Sequence, residues 1–456
     1  MLNRAYHKVC SVFLFFTEKE MMKRVTQILC LFMLITHLFA VGEAGAIFLL
    51  IAPGAGPAGT GEAQVAKADD AYASYYNPAG LGFLSGSEAA GMHVNWLPNL
   101  ADDIYYDFLT YRREIMGIGS FGAHLIFLNL GSQVQTDAEG NELGNFNSNM
   151  WAITTSLGTN LSETSSVGIG FKILQQNLGP GAGSEANEGK STDFLFDVGY
   201  LKKYSFGNFG FSITNIGPKI WFQDQSQADP APTNMRIGLF SNVYNDGFNK
   251  INIMFDANKL LVSRYQEMDW NGDGIIYGDD ELAHDDPWYT AVFTSWLDDW
   301  YYGGDYNLDN DTRIGGYSWN DINEDSKIDI GELTASVDAE GEFLAFSDVD
   351  YGIYGNCDLS LSGTSPEDCR EKGSGDDRSF STELEEMVYN MGAEYWYTDN
   401  FVLRGGYIYD QEGKITNPTF GAGIRFAQYG FDFGYTAGEQ GHPRANTMFF
   451  SVNIAL

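Results

Sequence analysis

From residue 87 onward the chain repeats a two-residue period, and the connections between its periodic segments alternate between short and long. In 165–174, Val167, Ile169, Phe171 and Ile173 share one face, while Gly168, Gly170 and Lys172 share the other. In 208–214, Phe209, Phe211 and Ile213 oppose Gly210, Ser212 and Thr214, and the last ten residues set Met448, Phe450, Val452, Ile454 and Leu456 against Phe449, Ser451, Asn453 and Ala455. Such alternation predicts β-strands with one apolar face. Strands are expected near 88–97, 103–113, 117–130, 149–160, 164–178, 191–203, 206–216, 232–244, 249–262, 383–397, 400–410, 418–427, 430–437 and 445–456, fourteen in all. Short connections such as 113–116, 161–163, 204–205, 245–248, 398–399 and 428–429 alternate with long ones at 131–148, 179–190, 217–231, 263–382 and 438–444. A soluble β-sandwich also alternates in polarity but has no reason to segregate its loops by length. An outer-membrane barrel does, with short periplasmic turns and long extracellular loops. Backbone in hydrocarbon has to be fully paired, so strands of this kind must close on themselves. The expected fold is all-β, a fourteen-stranded antiparallel transmembrane barrel in the outer membrane of a diderm bacterium, in contact with lipid.

Charge divides the chain. Residues 264–380 hold 29 Asp and Glu against 6 Lys and Arg, a net of −23 out of −35 for the whole sequence. Nucleic acid is not an expected partner, because nothing here would neutralise phosphates. The acidic block is instead expected to be a separate extracellular insert, 264–382, between barrel strands 1–9 (87–263) and strands 10–14 (383–456).

The N-terminus has the pattern of an export signal. Met21-Met22-Lys23-Arg24 supplies a basic start, Val25 to Val41 an apolar stretch, and Gly42-Glu43-Ala44-Gly45-Ala46 small residues for cleavage after Ala44 or Ala46. Residues 1–44 are therefore expected to be a signal peptide, with the true start at Met21 or Met22; a retained anchor is the alternative. Cys10 and Cys30 fall within this leader. Cys357 and Cys369 remain, and export to an oxidising compartment favours their pairing. Residues 45–86 precede the first wall strand. The run from Pro53 to Gly61 is too rich in Gly and Pro for a membrane strand, and Asn77-Pro78-Ala79-Gly80-Leu81 is turn chemistry. A barrel this wide is not filled by its own side chains. A compact plug within the lumen is therefore expected over 45–86, the alternative being a periplasmic tail.

Two stretches of the insert have the spacing of a calcium loop. Asp269, Asn271 and Asp273 stand at positions 1, 3 and 5, Ile275 would offer its carbonyl at position 7, and Asp280 closes at position 12. Asp321, Asn323 and Asp325 repeat the scheme, with Asp329 at position 9 and Glu332 at position 12. Alternate oxygen donors converge on one hard cation in such a loop. The alternative is a solvated acidic loop held by Asx-turns. Between the two, Trp288, Tyr289, Phe293, Trp296 and Trp300 fit an amphipathic helix over 286–300, either packed on the barrel rim or offered to a partner. No catalytic set is visible. His93, His124, His284 and His442 are scattered, and no nucleophile elbow or HExxH motif occurs. Lys172, Asp197, Arg404 and Arg425 are expected to line a polar lumen.

Phe48-Leu49-Leu50-Ile51, Gly59-Thr60-Gly61-Glu62-Ala63 and Asn77-Pro78-Ala79-Gly80-Leu81 resemble the opening of the PorV/PorQ family, a branch of the FadL-like fourteen-stranded barrels. Glu385-Glu386-Met387-Val388-Tyr389, Gly392-Ala393-Glu394-Tyr395-Trp396-Tyr397, Leu403-Arg404-Gly405-Gly406-Tyr407 and His442-Pro443-Arg444-Ala445-Asn446-Thr447 resemble its C-terminal third. Two features depart from the pattern: Leu456 stands where an aromatic residue is usual, and the acidic insert is long. The resemblance implies a type IX secretion role without enzymatic activity. The chain would bind C-terminal signal domains of exported cargo and pass them to the attachment complex, with translocon proteins as further partners. A FadL-like transporter of hydrophobic ligands is the rival, and a purely structural barrel displaying a stiffened loop is a second one.

Overall fold

The computed structural model describes residues 44–136, 141–179, 189–222, 228–265, 284–298, 336–337, 343–344, 380–411, 413–438 and 446–456. Fourteen antiparallel strands form the wall: β1 (Ser87–Asn95), β2 (Tyr105–Ile115), β3 (Gly119–Thr136), β4 (Glu142–Ser162), β5 (Ser165–Gly179), β6 (Gly189–Tyr204), β7 (Gly207–Ile216), β8 (Asn234–Asn245), β9 (Asn249–Leu260), β10 (Val388–Tyr397), β11 (Phe401–Asp410), β12 (Ile415–Phe426), β13 (Tyr429–Thr436) and β14 (Thr447–Ala455). Each pairs with its sequence neighbour, and β1 pairs with β14 to close the barrel. All six connections of two or three residues emerge at one end, which is therefore the periplasmic end.

The side-chain period lays out the wall as the sequence leads one to expect. On β5, Ile169 and Phe171 are exposed on the outer face, whereas Gly168, Gly170, Lys172 and Leu174 are buried inward. Phe194, Phe196, Leu403, Phe420, Ile424, Phe450 and Val452 continue the exposed apolar band around the barrel. Tyr204, Phe206, Tyr244, Phe248, Tyr397, Phe426 and Tyr429 cluster at the periplasmic turns as an interfacial aromatic girdle.

The wall is uneven in height. The pairing of β1 with β14 spans only Glu88–Ala455 to His93–Phe450, but β3 with β4 runs from Ser120–Gly158 out to Thr136–Glu142. Residues 131–148 are thus largely a projecting ribbon and not the long loop expected from the sequence. Beyond a bulge after Asn129, where Ser132 N–H donates to Asp103 Oδ2 (3.0 Å), the ribbon stands in water with both faces wet. Apolar alternation ceases there although pairing continues. At the other margin, β10 begins at Val388, and a short helix occupies part of the stretch expected as strand from 383.

The segment before β1 crosses the lumen from top to bottom. Gly45 N–H donates to the Pro230 carbonyl of the β7–β8 connection, on the extracellular side (2.9 Å). Two short helices, α1 (Ala55–Gly59) and α2 (Ala73–Tyr76), follow, then a 3₁₀ turn over Pro78–Phe83. At the periplasmic end Ser120 Oγ donates to the Leu84 carbonyl (2.6 Å).

A plugged lumen and a built-up rim as candidate functional site

Glycine explains how a folded segment fits inside the wall. Ten strands, β3 to β8 and β10 to β13, carry an inward glycine at the level where the plug lies against them. A Cβ at Gly168 would sit 2.2 Å from the Pro78 carbonyl carbon, one at Gly406 2.2 Å from Gly61 N, and one at Gly434 2.4 Å from the Ala55 carbonyl oxygen. The small inward residues of the alternating pattern are thus a seat shaped for the plug backbone. Three of the remaining four strands supply polar fasteners. Asp256 Oδ2 accepts the N–H groups of Gln64 (2.6 Å) and Val65 (2.9 Å), and Ser451 Oγ accepts that of Ala55 (2.8 Å). Thr110 Oγ1 donates to the Ala71 carbonyl (2.9 Å).

The plug motif sits at the centre of this seat. Asn77, fully buried, donates through its amide to the carbonyls of Val65 (3.0 Å) and Tyr200 (3.1 Å). Its Oδ1 accepts the N–H of Ala79 (3.1 Å) and so caps the turn that begins at Pro78. Gly80 lies against the Ala68 backbone, and Leu81 is buried beneath β3 and β4. This asparagine ties three parts together: the turn, the preceding plug loop and the wall.

Buried charges brace the same layer. Arg404 bridges Glu394 (3.0 Å) and Asp432 (2.7 Å), and Asp432 also holds Arg425 (2.8 Å). Lys67 of the plug reaches Glu394 at 3.3 Å, while Asn252 and Trp396 donate to its other oxygen. Across the lumen Lys172 pairs with Asp197 (3.3 Å) and bonds Asn215. Removing one member of such a buried pair costs about 3–5 kcal/mol, because its partner is left uncompensated. The four lumen charges read from the sequence therefore all face inward, in two networks. Glu394, Asp432, Asp256, Arg236 and Lys67 belong with them and went unnoticed. For the four wall residues the inward strand parity was the available signal. At the periplasmic edge of the plug, burial and the neighbouring Glu88 and Asp69 carboxylates push Asp70 up to about 7.

Above the plug the lumen is packed. Phe48, Leu49, Tyr72, Tyr75 and Tyr76 of the plug segment meet Met92, Val94, Trp96, Tyr106, Phe108 and Phe449 of the wall, with Ile220 and Ala231 of the β7–β8 connection above them, all buried in one cluster. Tyr72 stacks on Phe108, and Tyr75 sets its edge against Tyr76 and Phe108. Tyr75 and Tyr76 also flank the Arg236 guanidinium.

The described parts of the insert are a short antiparallel pair, Ser336–Val337 with Phe343–Leu344, and its two roots, which hold helices α3 (Trp288–Thr294) and α4 (Phe380–Glu385). The expected helix over 286–300 is thus shorter, with turns over 295–298. Lys219 and Arg264 both pair with Asp285 (3.0 and 3.4 Å), which joins the rim of β7 to the first root. The calcium-type positions Asp269, Asn271, Asp273, Ile275, Asp280, Asp321, Asn323, Asp325, Asp329 and Glu332 lie outside the described residues, as do Cys357 and Cys369.

Comparison with known proteins follows on this geometry. The family model for the type IX secretion system protein PorV matches residues 40–267. The chain belongs to the PorV family. As a member it is an outer-membrane component of type IX secretion, with its long loops on the cell surface. Among solved structures it is similar to the toluene transporter TbuX of Ralstonia pickettii, with 12% identity over 88% of this chain and 96% of that one, at a TM-score of 0.43. The toluene transporter TodX of Pseudomonas putida matches with the same identity and coverage, also at 0.43. A FadL homologue of Pseudomonas aeruginosa shares 10% identity over 88% and 98% of the two chains, at 0.40. No curated protein matches this PorV-family chain.

Proposed function

We propose that this PorV-family barrel works at its extracellular rim, receiving the C-terminal signal domain of exported cargo and handing it to the surface attachment complex. The observation that carries this reading is the filled lumen. Among the described residues, plug and wall side chains pack together inside the barrel from Leu84 at the periplasmic end to Ile220 at the mouth. A transporter of hydrophobic ligands needs an apolar cavity above its plug, and here Trp96, Tyr106, Phe108 and the plug tyrosines fill that position. What remains for binding is the rim, raised on the β3–β6 side and enlarged by the acidic insert. A folded partner suits such a surface, because a stable protein interface buries on the order of 1,200 Å² or more. We further assign calcium to the loops at 269–280 and 321–332, where it would stiffen the insert.

The test is a chromosomal deletion of residues 299–379, which keeps both insert roots. Barrel assembly should be unchanged, while type IX cargo should accumulate with its C-terminal signal uncleaved. Normal cargo processing combined with loss of growth on long-chain fatty acids would overturn the reading in favour of the transporter.

A further inference from the structure

Where the insert roots meet Lys259, they lie on the lipid side of the wall. Strand parity shows this. On β9, Asp256 and Asn258 point inward, Asp256 to the plug and Asn258 to the inward Asn390, so Lys259 points outward. On β8, Arg236 contacts the plug, so Met235 points outward, and Met235 and Lys259 are register partners. An outward pair at a bare wall would be exposed, yet Lys259 is 2% and Met235 7% exposed. What covers Lys259 is the insert. Lys259 Nζ pairs with Glu383 of α4 (2.8 Å) and with Glu386, and it lies 5.4 Å from the ring of Trp296, just after α3. Trp296 in turn stacks on Phe380 of α4. Two more outward side chains agree. Tyr389, stacked on the outward Phe255, donates its hydroxyl to the Leu384 carbonyl (2.8 Å), and Glu385 accepts from Gln411, which also bonds Tyr409.

The height of this contact decides its environment. Lys259 stands ten residues above Asn249 at the periplasmic turn. At about 3.3 Å per residue and a tilt of roughly 40°, that is about 25 Å, the height of the apolar band of an outer-membrane barrel. The roots therefore rest at the outer water–lipid boundary. Leading down to that level from Ser263, α3 exposes Trp288, Tyr289 and Phe293 by 43%, 61% and 72%, and Phe380 and Leu384 of α4 are exposed as well. Trp, Tyr and Phe with polar neighbours suit this boundary, where one side of the ring meets acyl chains and the other water.

We propose that α3 and α4 form an interfacial anchor, with Trp288, Tyr289 and Phe293 inserted among the lipids of the outer leaflet beside β8–β10. The apolar face is continuous with the lipid-facing wall through Phe255 and Tyr389, which is why lipid and not a protein is its occupant. The anchor fixes the two roots of the insert to one side of the barrel. This holds whether or not the rim receives cargo.

The experiment uses the full-length barrel with all four cysteines replaced by serine and Phe293→Cys carrying a bimane dye, reconstituted in phosphatidylcholine vesicles. Brominated acyl chains should quench the dye at least twofold, as at Phe450→Cys in the mid-wall, while aqueous iodide should reach it far less than at Ile47→Cys near the mouth. Quenching by iodide alone would place the face in water and overturn the proposal. Protection from both quenchers would show a protein cover, by the insert itself or a partner, and would overturn it equally. An unlabelled check avoids any effect of the dye on folding: Trp288→Phe should remove part of the bromine-quenchable tryptophan emission, and an unchanged quenchable fraction refutes the anchor.

Discussion

Adding one methyl group to a plug-facing glycine should unseat the plug while leaving the wall intact. Gly168 of β5 is the sharpest site, since its added Cβ would lie 2.2 Å from the Pro78 carbonyl carbon and 2.3 Å from Ala79 N. Ordinary contact is at about 3.5 Å, so wall or plug must retreat by roughly 1.3 Å. The obstructing atoms are backbone and belong to the turn that Asn77 caps, so no side chain can swing away. Overpacking of this kind costs about 1–3 kcal/mol, and the rigid neighbour puts Gly168→Ala near the upper end. Gly405 on β11 is the matched control: it is outward, and a Cβ there meets nothing within 4 Å. Gly405→Ala should therefore be neutral. Urea unfolding of the reconstituted barrels, followed by tryptophan emission, measures the difference, and vancomycin sensitivity of cells reports a leaking lumen. Equal stability and equal sensitivity of the two variants would refute the idea that the inward glycines are the plug's seat.

Three further outcomes follow from other parts of the chain. Asp70 holds its proton in the folded state up to about pH 7 but releases it near 3.8 when unfolded. The folded state binds more protons across that window, so stability is greatest below it and declines as pH rises to 7. Asp70→Asn should flatten the profile and stabilise the barrel at pH 8 by about 1 kcal/mol, read from the temperature at which the folded band is lost on gels. Calcium titration of the whole protein should show heat at millimolar ion or below, reduced more by Asp273→Ala than by Asp309→Ala, which lies between the two loops in sequence; no heat at all would remove calcium from the account. Unreduced tryptic peptides should carry Cys357 linked to Cys369, a loop closure contributing roughly 3 kcal/mol to the insert; two free thiols in freshly isolated membranes would contradict it.

The wall was legible because the membrane enforces a strict code. Lipid on one side and a plug on the other give each strand residue a single alternative, so Ile169 against Gly168, or Phe450 against Phe449, can be assigned by parity. Loop lengths then gave orientation. Legibility stopped where that code stops. The ribbon formed by the ends of β3 and β4 is wet on both faces, so its pairing leaves no apolar period. Lys259 has the parity of a lipid-facing residue and the burial of core, because a segment distant in sequence lies over it. Glu394, Asp432 and Asp256 could have been found as acids at inward positions. Their partners, Arg404, Arg425 and the amides of Gln64 and Val65, are set by barrel closure and plug path, which no local pattern encodes. In the plug itself, Asn77-Pro78-Ala79 was recognisable as turn chemistry, but the reach of Asn77 to Tyr200 depends on the wall being in place.

The distribution of charge completes the functional argument. Within the lumen, several cations and anions are matched at close range: Arg404 with Glu394 and Asp432, Lys172 with Asp197, and Lys67 with Glu394. Such pairs cancel within a few ångströms and project little field beyond the barrel. Residues 264–380 are different, with a net of −23 and few internal cations. Screening at physiological salt falls off over about 8 Å, so this field is felt only by a partner that approaches the rim closely. A small apolar ligand would gain nothing from it. A folded domain with basic residues on its docking face would be steered toward the rim and oriented there, at a rate that drops as salt rises. Pairs that cancel locally inside the barrel, beside an insert whose charge is uncompensated in the sequence, support the proposal that binding takes place at the rim.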